Sequence, residues 1–354
     1  MQKSIDMNLN EMLMVHDNFQ KYKNVQSIQI SGTKEKKKYK YSIVIPTYMR
    51  VETLKETIQS CLKLDDEDDY NVIVVDNNPA RGDETEQYIT NLNNPNIKYY
   101  KNAKNIGMTG NWNRCLELCE GEYAVLLHDD DIVASDFFTN VNNIINRHPE
   151  IDILYVGLKC WHQEHNSSVP EIGCNHKQYS LFKSSLINCL FTINHTPTGV
   201  VIKKESFISL GGFDERFYPS SDYYFYTYAT INGKNVYNYL KPLVIYRLLI
   251  NESMKEETKI NFVIITNPLH RWLINKLNIS KIISKWLLSV KVNSGLVLCK
   301  PETITNMSIN GITYSKVLLT RNKCLRNVLI RYYNIQLSLI KKIIYRRVNA
   351  FDYM

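Results

Sequence analysis

Short runs of β-branched and aliphatic residues recur along the first two thirds of the chain, and amphipathic stretches separate them. Runs that are apolar on both faces are typical of covered strands, whereas apolar residues spaced three or four apart are typical of helices. This alternation predicts an α/β fold in which helices connect the strands of a mostly parallel sheet. The predicted strands are 41–46 (YSIVIP), 71–76 (NVIVVD), 97–101, 123–128 (YAVLLH), 151–159, 200–202 and 243–246.

Helical spacing marks four segments between these strands, and their apolar faces would cover the sheet. The first, second and fourth strands carry almost no polar residues, so we expect them at the centre of the sheet and parallel to one another. The predicted helices are 52–62, 84–92, 109–120 and 135–147.

The pattern divides the chain into three regions. Residues 1–40 show weak periodicity and a cluster of lysines, so we expect an N-terminal arm there. Residues 41–251 contain all the predicted strands and would form the sheet domain. Residues 252–354 show helical spacing, which predicts a helical C-terminal appendage.

Polar residues follow four of the predicted strands. The carboxyl ends of parallel strands meet at one edge of an open sheet, and ligands bind in the crevice there. We therefore expect these residues to line one crevice. They are Pro46, Thr47, Tyr48 and Arg50, then Asp76, Asn77 and Asn78, then Asn105, Gly107, Asn111 and Asn113, and finally His128, Asp129, Asp130 and Asp131.

The segment LLHDDDIV places three adjacent aspartates, Asp129, Asp130 and Asp131, at the end of a predicted buried strand. Neighbouring carboxylates repel one another, and burial makes each charge costly unless a cation neutralises it. A hard divalent ion, Mn²⁺ or Mg²⁺, meets that need and leaves coordination positions for phosphate oxygens. The alternative is a polar turn in which Asp131 caps the next helix. The neighbouring polar loops favour the metal site.

Four segments, in order along the chain, resemble bacterial glycosyltransferases of family 2, which have the GT-A fold. They are IVIPTYMR, VIVVDNNP, NIGMTGNWNRCLELCEGEYAVLLHDDDIV and GGFDERFYPSSDYYF, and the resemblance runs from about residue 41 to residue 247. It implies a GT-A-like sheet and an inverting enzyme. Such an enzyme takes a sugar from a nucleoside diphosphate, often UDP, with a divalent ion.

The resemblance also implies roles for individual residues. Asp130 and Asp131 match the last two acids of the family's D-x-D-D pattern and would be metal ligands, whereas His128 replaces the first acid. An oxygen-preferring ion makes His128 a weaker ligand candidate than its neighbours. Asp76 matches the carboxylate that typically binds the base. Contacts with the nucleotide-sugar are implied for Pro46, Thr47, Tyr48, Arg50, Asp76, Asn105, Gly107, Asn113 and Asp129.

The segment SSDYYF resembles the family's acceptor segment, in which a Glu-Asp pair supplies the catalytic base. Ser221 occupies the position of the glutamate, so Asp222 is the remaining carboxylate. A helix that begins there would place Asp222 in its first turn, where the helix dipole favours the ionised form. We expect Asp222 to accept the proton of the acceptor hydroxyl. We expect Ser221 and His195 on the acceptor side, although an ordinary hydrogen-bonded histidine is an equal alternative for His195.

The chain has 43 basic and 35 acidic residues, and the excess lies at its C-terminal end. Residues 315–354 hold nine Lys and Arg but one acid, which favours an anionic partner. A helix predicted from Leu325 could lie in the headgroup plane of an anionic membrane, or pack on the sheet domain or on a second copy of the chain. Its predicted apolar face comprises Leu325, Val328, Leu329, Tyr332, Ile335, Leu339 and Ile343.

The composition, with 44% hydrophobic and 22% charged residues, is that of a globular protein and excludes disordered and fibrous classes. No apolar run approaches the ~18 to 20 residues of a membrane span, and the N-terminus lacks a signal-peptide pattern. We therefore expect a cytoplasmic protein, peripheral on the inner face of the cell membrane. The basic tail contains no nucleic-acid reading motif, so we expect no nucleic-acid partner.

Together these features predict a glycosyltransferase that acts on a lipid-linked glycan acceptor during synthesis of a bacterial surface polysaccharide, O-antigen or capsule. Two alternatives remain open. A sugar-phosphate nucleotidyltransferase would need a glycine-rich phosphate loop after the first strand, and PTYMRVET has no glycine. A catalytically inactive, membrane-bound partner with the same fold is consistent with Ser221 and with the lack of the family's His after Tyr246 and Arg247.

Overall fold

The computed structural model describes residues 13–35, 37–64, 70–162, 168–172, 178–191, 196–248, 255–300, 308–309, 312–313 and 322–351. Strands and helices alternate up to residue 247, and helices predominate after it. The strands are β1 (Ser27–Ser31), β2 (Tyr39–Thr47), β3 (Tyr70–Asp76), β4 (Ile97–Asn102), β5 (Gly121–Leu126), β6 (Ile132–Val133), β7 (Ile153–Trp161), β8 (Leu181–Lys183), β9 (Val200–Lys203), β10 (Val236–Arg247), β11 (Ser308–Ile309) and β12 (Ile312–Thr313).

The first seven helices lie between strands of the main sheet along the chain, and the last three follow its final strand. They are α1 (Val51–Cys61), α2 (Glu84–Leu92), α3 (Gly107–Leu118), α4 (Phe137–Arg147), α5 (Leu186–Phe191), α6 (Lys204–Ser209), α7 (Ser221–Ile231), α8 (Glu256–Lys276), α9 (Lys281–Leu296) and α10 (Lys323–Phe351).

The main sheet has the strand order β1-β4-β3-β2-β5-β9-β7-β10-β6, and β8 pairs with β10. Strands β4, β3, β2 and β5 run parallel, whereas β9 is antiparallel to both of its neighbours. The predicted strands 41–46, 71–76 and 123–128 therefore correspond to β2, β3 and β5, which are central and parallel as expected. The mixed, mostly parallel sheet agrees with the predicted α/β class.

The register brings the carboxyl ends of the central strands level with one another. Thr47 at the end of β2 pairs with Asp76 at the end of β3, and the backbone N–H of Asn77 donates to the carbonyl of Thr47 at 2.9 Å. Alternate residues of β2 face opposite layers, since Val44 belongs to one hydrophobic core and Ile45 to the other. The loops that follow these strands therefore begin at one common edge, with a packed core on each side.

The structure departs from the sequence-based expectations at several places. Residues 27–31, inside the predicted arm 1–40, form β1 and pair with β4, so the sheet begins before residue 41. Strand β10 spans Val236–Arg247, whereas the pattern predicted its last part alone. Two short strands, β11 and β12, pair with each other within the region expected to be helical.

The helix α10 carries two apolar faces. Its packed face contains Leu329, Tyr333, Ile340 and Ile344, which are buried, and Trp286 of α9 donates its Nε1 proton to Gln336 Oε1 at 2.6 Å. The seven residues of the apolar face predicted from the sequence do not all lie on this packed face. Leu329 is buried and Ile343 is half-buried, whereas an exposed stripe comprises Leu325, Val328, Tyr332, Ile335 and Leu339.

One face of α10 is thus packed on protein, and the exposed stripe repeats at spacings of three and four residues. Among the residues that the structure describes, no helix is both long enough and apolar enough to cross a membrane.

The packing of α10 can be tested with two isoleucines of the same helix. Ile340 is fully buried and Ile335 is 69% exposed. Replacing Ile340 by alanine should lower the free energy of unfolding by about 3 kcal/mol, because it leaves a cavity. Replacing Ile335 by alanine should change it by less than about 0.5 kcal/mol. Urea unfolding of both variants measures the difference, and equal effects would contradict the packing described here.

Candidate active site

A cavity of about 690 Å³ opens at the carboxyl ends of the central strands. This volume lies in the range of pockets that enclose a small-molecule ligand. The loops after β2, β3, β4 and β5 supply one part of its wall, and α7, β10 and α8 supply another. The lining residues are Pro46, Thr47, Tyr48, Arg50, Asn77, Asn105, Gly107, Met108, Thr109, Asn111, Trp112, His128, Asp129, Asp130, Thr196, Pro197, Glu215, Tyr218, Pro219, Asp222, Tyr246, Thr258 and Phe262.

The loop after β2 contacts the aspartates that follow β5. Thr47 donates its hydroxyl proton to Asp129 Oδ2 at 2.8 Å, and Arg50 Nη1 lies 3.0 Å from Asp130 Oδ2. Between them in the sequence, Tyr48 lines the cavity and is 47% exposed. Met49 has a φ of +54°, a left-handed conformation that turns the chain sharply into α1. The predicted first loop therefore lines the cavity, and its hydroxyl and guanidinium contact the carboxylates of Asp129 and Asp130.

The three aspartates after β5 differ in their surroundings. Asp129 and Asp130 line the cavity, although their side chains are only 8% and 6% exposed. Asp131 lies behind them, fully buried, and its Oδ1 accepts a hydrogen bond from the backbone N–H of Arg247 at 2.9 Å. Burial is the larger cause, and the charge of Asp130 the smaller one, that raises the pKa of Asp129 to about 7. The same two causes raise the pKa of Asp131. Adjacent carboxylates in this setting require positive charge to stay ionised.

The donor atoms at this end of β5 fit a divalent ion. One atom each from His128, Asp130 and Asp131 can be chosen so that all three lie within 4.8 Å of one another. His128 Nε2 is buried and has no hydrogen-bond partner among the residues that the structure describes. The His128 ring stacks on Trp112, with ring centroids 5.5 Å apart. This donor set contains two carboxylates, as the sequence predicted, and one imidazole that it had ranked lower.

Asp76 does not reach the cavity. Its carboxylate is fully buried, and it accepts hydrogen bonds from Tyr99 Oη at 2.7 Å and from the backbone N–H of Asn78 at 2.9 Å. Lys101 Nζ lies 3.1 Å from it. The next residue, Asn77, lines the cavity instead. The expected base contact of Asp76 stays a prediction, and in this structure its carboxylate is occupied by protein groups.

The start of α3 contributes the amide-rich part of the wall. Asn77 donates its Nδ2 proton to Asn105 Oδ1 at 2.8 Å, and Gly107 has a φ of +75°, which favours glycine. Asn113 does not line the cavity, because its side chain bonds both the N–H and the carbonyl of Phe213 at 2.8 Å. Asn105 and Gly107 therefore lie where the sequence predicted, and Asn113 connects α3 to the loop before α7.

Asp222 lies in the first turn of α7 and lines the same cavity as Asp130. Burial raises the pKa of Asp222 to about 7, and the backbone N–H of Tyr223 donates to its Oδ1 at 2.8 Å. Ser221, expected on the acceptor side, is buried, and within the described part of the chain its Oγ has no hydrogen-bond partner. His195 lies outside the described residues, and its neighbours Thr196 and Pro197 line the cavity.

Several lining residues escaped the sequence analysis. Trp112 has the spacing of a core residue of α3, and Thr258 and Phe262 belong to α8, in the region predicted to be an appendage. No motif marks them, because their place in the wall depends on how the C-terminal helices pack. Glu215 and Tyr218 lie in the segment GGFDERFYPSSDYYF, whose match with the acceptor segment was a usable signal.

One region of this chain is similar to a known family. Residues 42–201 match the sequence model of the family described as glycosyl transferase family 2, which confirms the resemblance.

Two curated relatives share part of this region. A putative colanic acid biosynthesis glycosyl transferase, WcaA of Escherichia coli, is 34% identical over 90 residues, which is 25% of this chain and 32% of that protein. A GalNAc(5)-diNAcBac-PP-undecaprenol beta-1,3-glucosyltransferase of Campylobacter jejuni is 34% identical over 99 residues, which is 27% of this chain and 31% of that protein. The match thus spans about a third of the length of these relatives.

Solved structures share the fold along most of the chain. TarS of S. aureus, crystallised as residues 1–349 with UDP-GlcNAc, has a TM-score of 0.54 at 18% identity and covers 87% of this chain and 92% of its own. The mannosyltransferase PcManGT of Pyrobaculum calidifontis, in complex with GDP-Man and Mn²⁺, has a TM-score of 0.51 at 15% identity and covers 86% of this chain and 87% of its own. These similarities confirm the GT-A-like fold.

The burial of Asp222 predicts a pH-dependent effect of replacing it. Its pKa in the folded protein, about 7, exceeds the ~3.9 of an unfolded aspartate. The ionised carboxylate therefore costs stability above pH 7 and costs none below about pH 4. Asp222→Asn should melt at a higher temperature than the wild type at about pH 8, and the gap should shrink toward about pH 5. The exposed carboxylate control, Glu122→Gln, should show no such trend. A difference in melting temperature that grows toward acid pH would contradict the raised pKa of Asp222.

Proposed function

We propose that this protein is an inverting, metal-dependent glycosyltransferase. It would move a sugar from a nucleoside-diphosphate donor, UDP in our assignment, to a lipid-linked glycan during synthesis of a bacterial surface polysaccharide. The observation that carries the proposal is that Asp130 and Asp222 line one cavity. They belong to different elements, the loop after β5 and the start of α7, so one acid can face the leaving group while the other faces the acceptor.

The reaction assigns each acid a different state. The acceptor hydroxyl gives its proton to the Asp222 carboxylate while its oxygen bonds to the anomeric carbon, and the bond from that carbon to the diphosphate oxygen breaks on the opposite face. Asp222 must be ionised for this step, which a pKa of about 7 allows at neutral pH and above. Asp130 and Asp131 would hold Mn²⁺ or Mg²⁺, with His128 within reach. When bound, such an ion supplies positive charge to the leaving diphosphate.

The donor class is supported by the fold and by the cavity. The TarS structure contains UDP-GlcNAc and the PcManGT structure contains GDP-Man and Mn²⁺. Tyr48, which is 47% exposed and lines the same cavity as Asn77, offers an aromatic ring on which a base could stack. Asp129, hydrogen-bonded to Thr47, is the carboxylate that we assign to the ribose.

The acceptor class is supported by the relatives. The name of the C. jejuni relative specifies an undecaprenol diphosphate glycan, and that of the E. coli relative specifies colanic acid synthesis. We assign a similar lipid-linked glycan to this protein. An acceptor of that kind is held at a membrane, so we also propose that the protein binds the inner face of the cell membrane.

The exposed stripe of α10 is the surface that we assign to the membrane. Its five apolar side chains are 46–69% exposed, and the sequence of α10 contains seven Lys and Arg but no acid. Two copies of such a helix would bring like charges together, whereas an anionic lipid surface attracts basic residues by about 1 kcal/mol each. The charge therefore favours lipid over a second copy as the partner of the stripe.

Two other functions fit less well. A nucleotidyltransferase would bind its triphosphate at a glycine-rich loop after the first strand, and the corresponding loop here, after β2, presents Thr47, Tyr48 and Arg50. An inactive partner protein would not need an acid on the acceptor side, yet Asp222 lines the cavity. Purified protein with Mn²⁺ and a panel of nucleotide sugars distinguishes these classes by the product formed.

Separate roles for the two acids predict separate effects of their removal. Asp222→Asn should lower transfer by roughly a thousandfold, as expected for loss of a general base, with Mn²⁺-dependent UDP affinity changed less than about twofold. Asp130→Asn should weaken that affinity by about tenfold or more. The control is Asp214→Asn, whose carboxylate pairs with Arg216 outside this cavity and which should retain transfer. Calorimetry with UDP and labelled-sugar transfer are the measurements, and normal transfer by Asp222→Asn would refute the base assignment.

Membrane binding can be tested without removing α10, whose other face is packed. A Val328→Ser, Ile335→Ser double variant should bind anionic vesicles at least about tenfold more weakly, since each buried apolar side chain contributes on the order of 1.5 kcal/mol. The control is Ile282→Ser, because Ile282 is 83% exposed on α9, outside the stripe. Equal vesicle binding by the two variants would contradict the assignment. So would a change in oligomeric state of the double variant without loss of vesicle binding.

A further inference from the structure

The positive charge that faces Asp129 and Asp130 comes from the side chain of Arg50. Arg50 Nη1 lies 3.0 Å from Asp130 Oδ2 and 3.6 Å from Asp129 Oδ1. Among the residues that the structure describes, no other Lys or Arg pairs with either acid at this distance. The guanidinium therefore contacts one of the two carboxylate oxygens of Asp130, a residue that would hold a metal ion.

The two ends of Arg50 differ in freedom. Its backbone is fixed, because the N–H of Leu54 donates to the Arg50 carbonyl at 3.1 Å and so closes the first turn of α1. Its side chain is 45% exposed and faces the cavity. The guanidinium can therefore leave Asp130 by rotation of its side chain alone, without any change in the fold.

We propose that Arg50 is a positioning residue that occupies the metal-binding carboxylate of Asp130 in the free protein and transfers to the diphosphate when metal and nucleotide bind. This inference rests on the proposed function, since it takes a divalent ion and a nucleoside diphosphate as ligands. It adds a competition between a side chain and the ion for one carboxylate.

Charge balance supports the transfer of the Arg50 guanidinium from Asp130 to the diphosphate. Asp129 and Asp130 are almost fully buried, and they lose their cationic partner if the guanidinium leaves without a replacement. A divalent ion alone must displace the guanidinium from Asp130, and the ion brings no anion that could bind the guanidinium in exchange. A diphosphate brings several acceptor oxygens, and the planar guanidinium can bind two of them at once.

It follows that metal and nucleotide bind with positive coupling. The free protein holds the ion weakly because Arg50 competes for Asp130, and the nucleotide removes that competition by binding Arg50. Coupling of this kind is reciprocal, so the ion raises affinity for the nucleotide by the same factor. A purely structural role of Arg50 would lower both affinities.

The test measures Mn²⁺ binding from the electron paramagnetic resonance signal of the free ion, with and without UDP. Arg50→Met should bind Mn²⁺ roughly tenfold more tightly than the wild type without UDP, as expected for loss of a competing ion pair, and should bind UDP with Mn²⁺ roughly tenfold more weakly. Arg50→Lys keeps the charge and should keep the weak Mn²⁺ binding of the wild type. The control is Arg81→Met, which removes an arginine paired with Glu86 away from the cavity and should change neither affinity.

Opposite shifts in the two affinities of Arg50→Met would support the inference. Unchanged or weaker Mn²⁺ binding without UDP would overturn it, provided that the wild type binds Mn²⁺ in the presence of UDP. If the wild type binds no Mn²⁺ with or without UDP, the metal-dependent function fails and this inference fails with it. Arg50→Lys changes the side chain but keeps its positive charge. Tighter Mn²⁺ binding by this variant would therefore also overturn the inference.

Discussion

The constraint on which this structure depends is the placement of negative charge inside a protein. Asp129, Asp130 and Asp131 follow a buried strand, and none has a side chain more than 8% exposed. Burial of adjacent carboxylates is unfavourable unless hydrogen-bond donors and cations surround them. The end of β2 supplies the hydroxyl of Thr47, the loop after β2 supplies the guanidinium of Arg50, and the end of β10 supplies a backbone N–H. These three elements must therefore meet, and the strand register of the sheet brings them together.

Much of the sheet could be predicted from the sequence, because parallel strands that are covered on both faces leave long apolar runs. β2, β3 and β5 are such runs, and the interruptions between them coincide with loops. The N-terminal part of β10 was missed because it carries polar residues such as Asn238 and Lys241, which are buried through hydrogen bonds and an ion pair to other elements. β1 was missed because a short edge strand of mixed polarity has no distinctive pattern.

The site was predictable where function follows from position at a strand end. Thr47, Arg50, Asp129 and Asp130 line the cavity for that reason. Asp76 also ends a strand, but the sequence could not show that Lys101 and Tyr99, on the neighbouring strand, would take its oxygens. Asn113 directly follows Asn111 and Trp112, which line the cavity, but its own side chain bonds the backbone of Phe213 instead. Contacts between distant segments decided both cases, and local patterns carry no information about them.

The C-terminal helices have two contacts with different consequences. The N-terminal part of α8 borders the cavity through Thr258 and Phe262, and α8 packs on α9, which in turn packs on α10. With 21 residues, α8 is about 31 Å long, since each residue adds 1.5 Å. If the stripe of α10 rests on lipid, this helical stack fixes the height of the reaction centre above the bilayer. The part of the acceptor between the lipid and the reacting sugar must then span that height. The helical stack would therefore determine which lengths of acceptor glycan can reach the reaction centre.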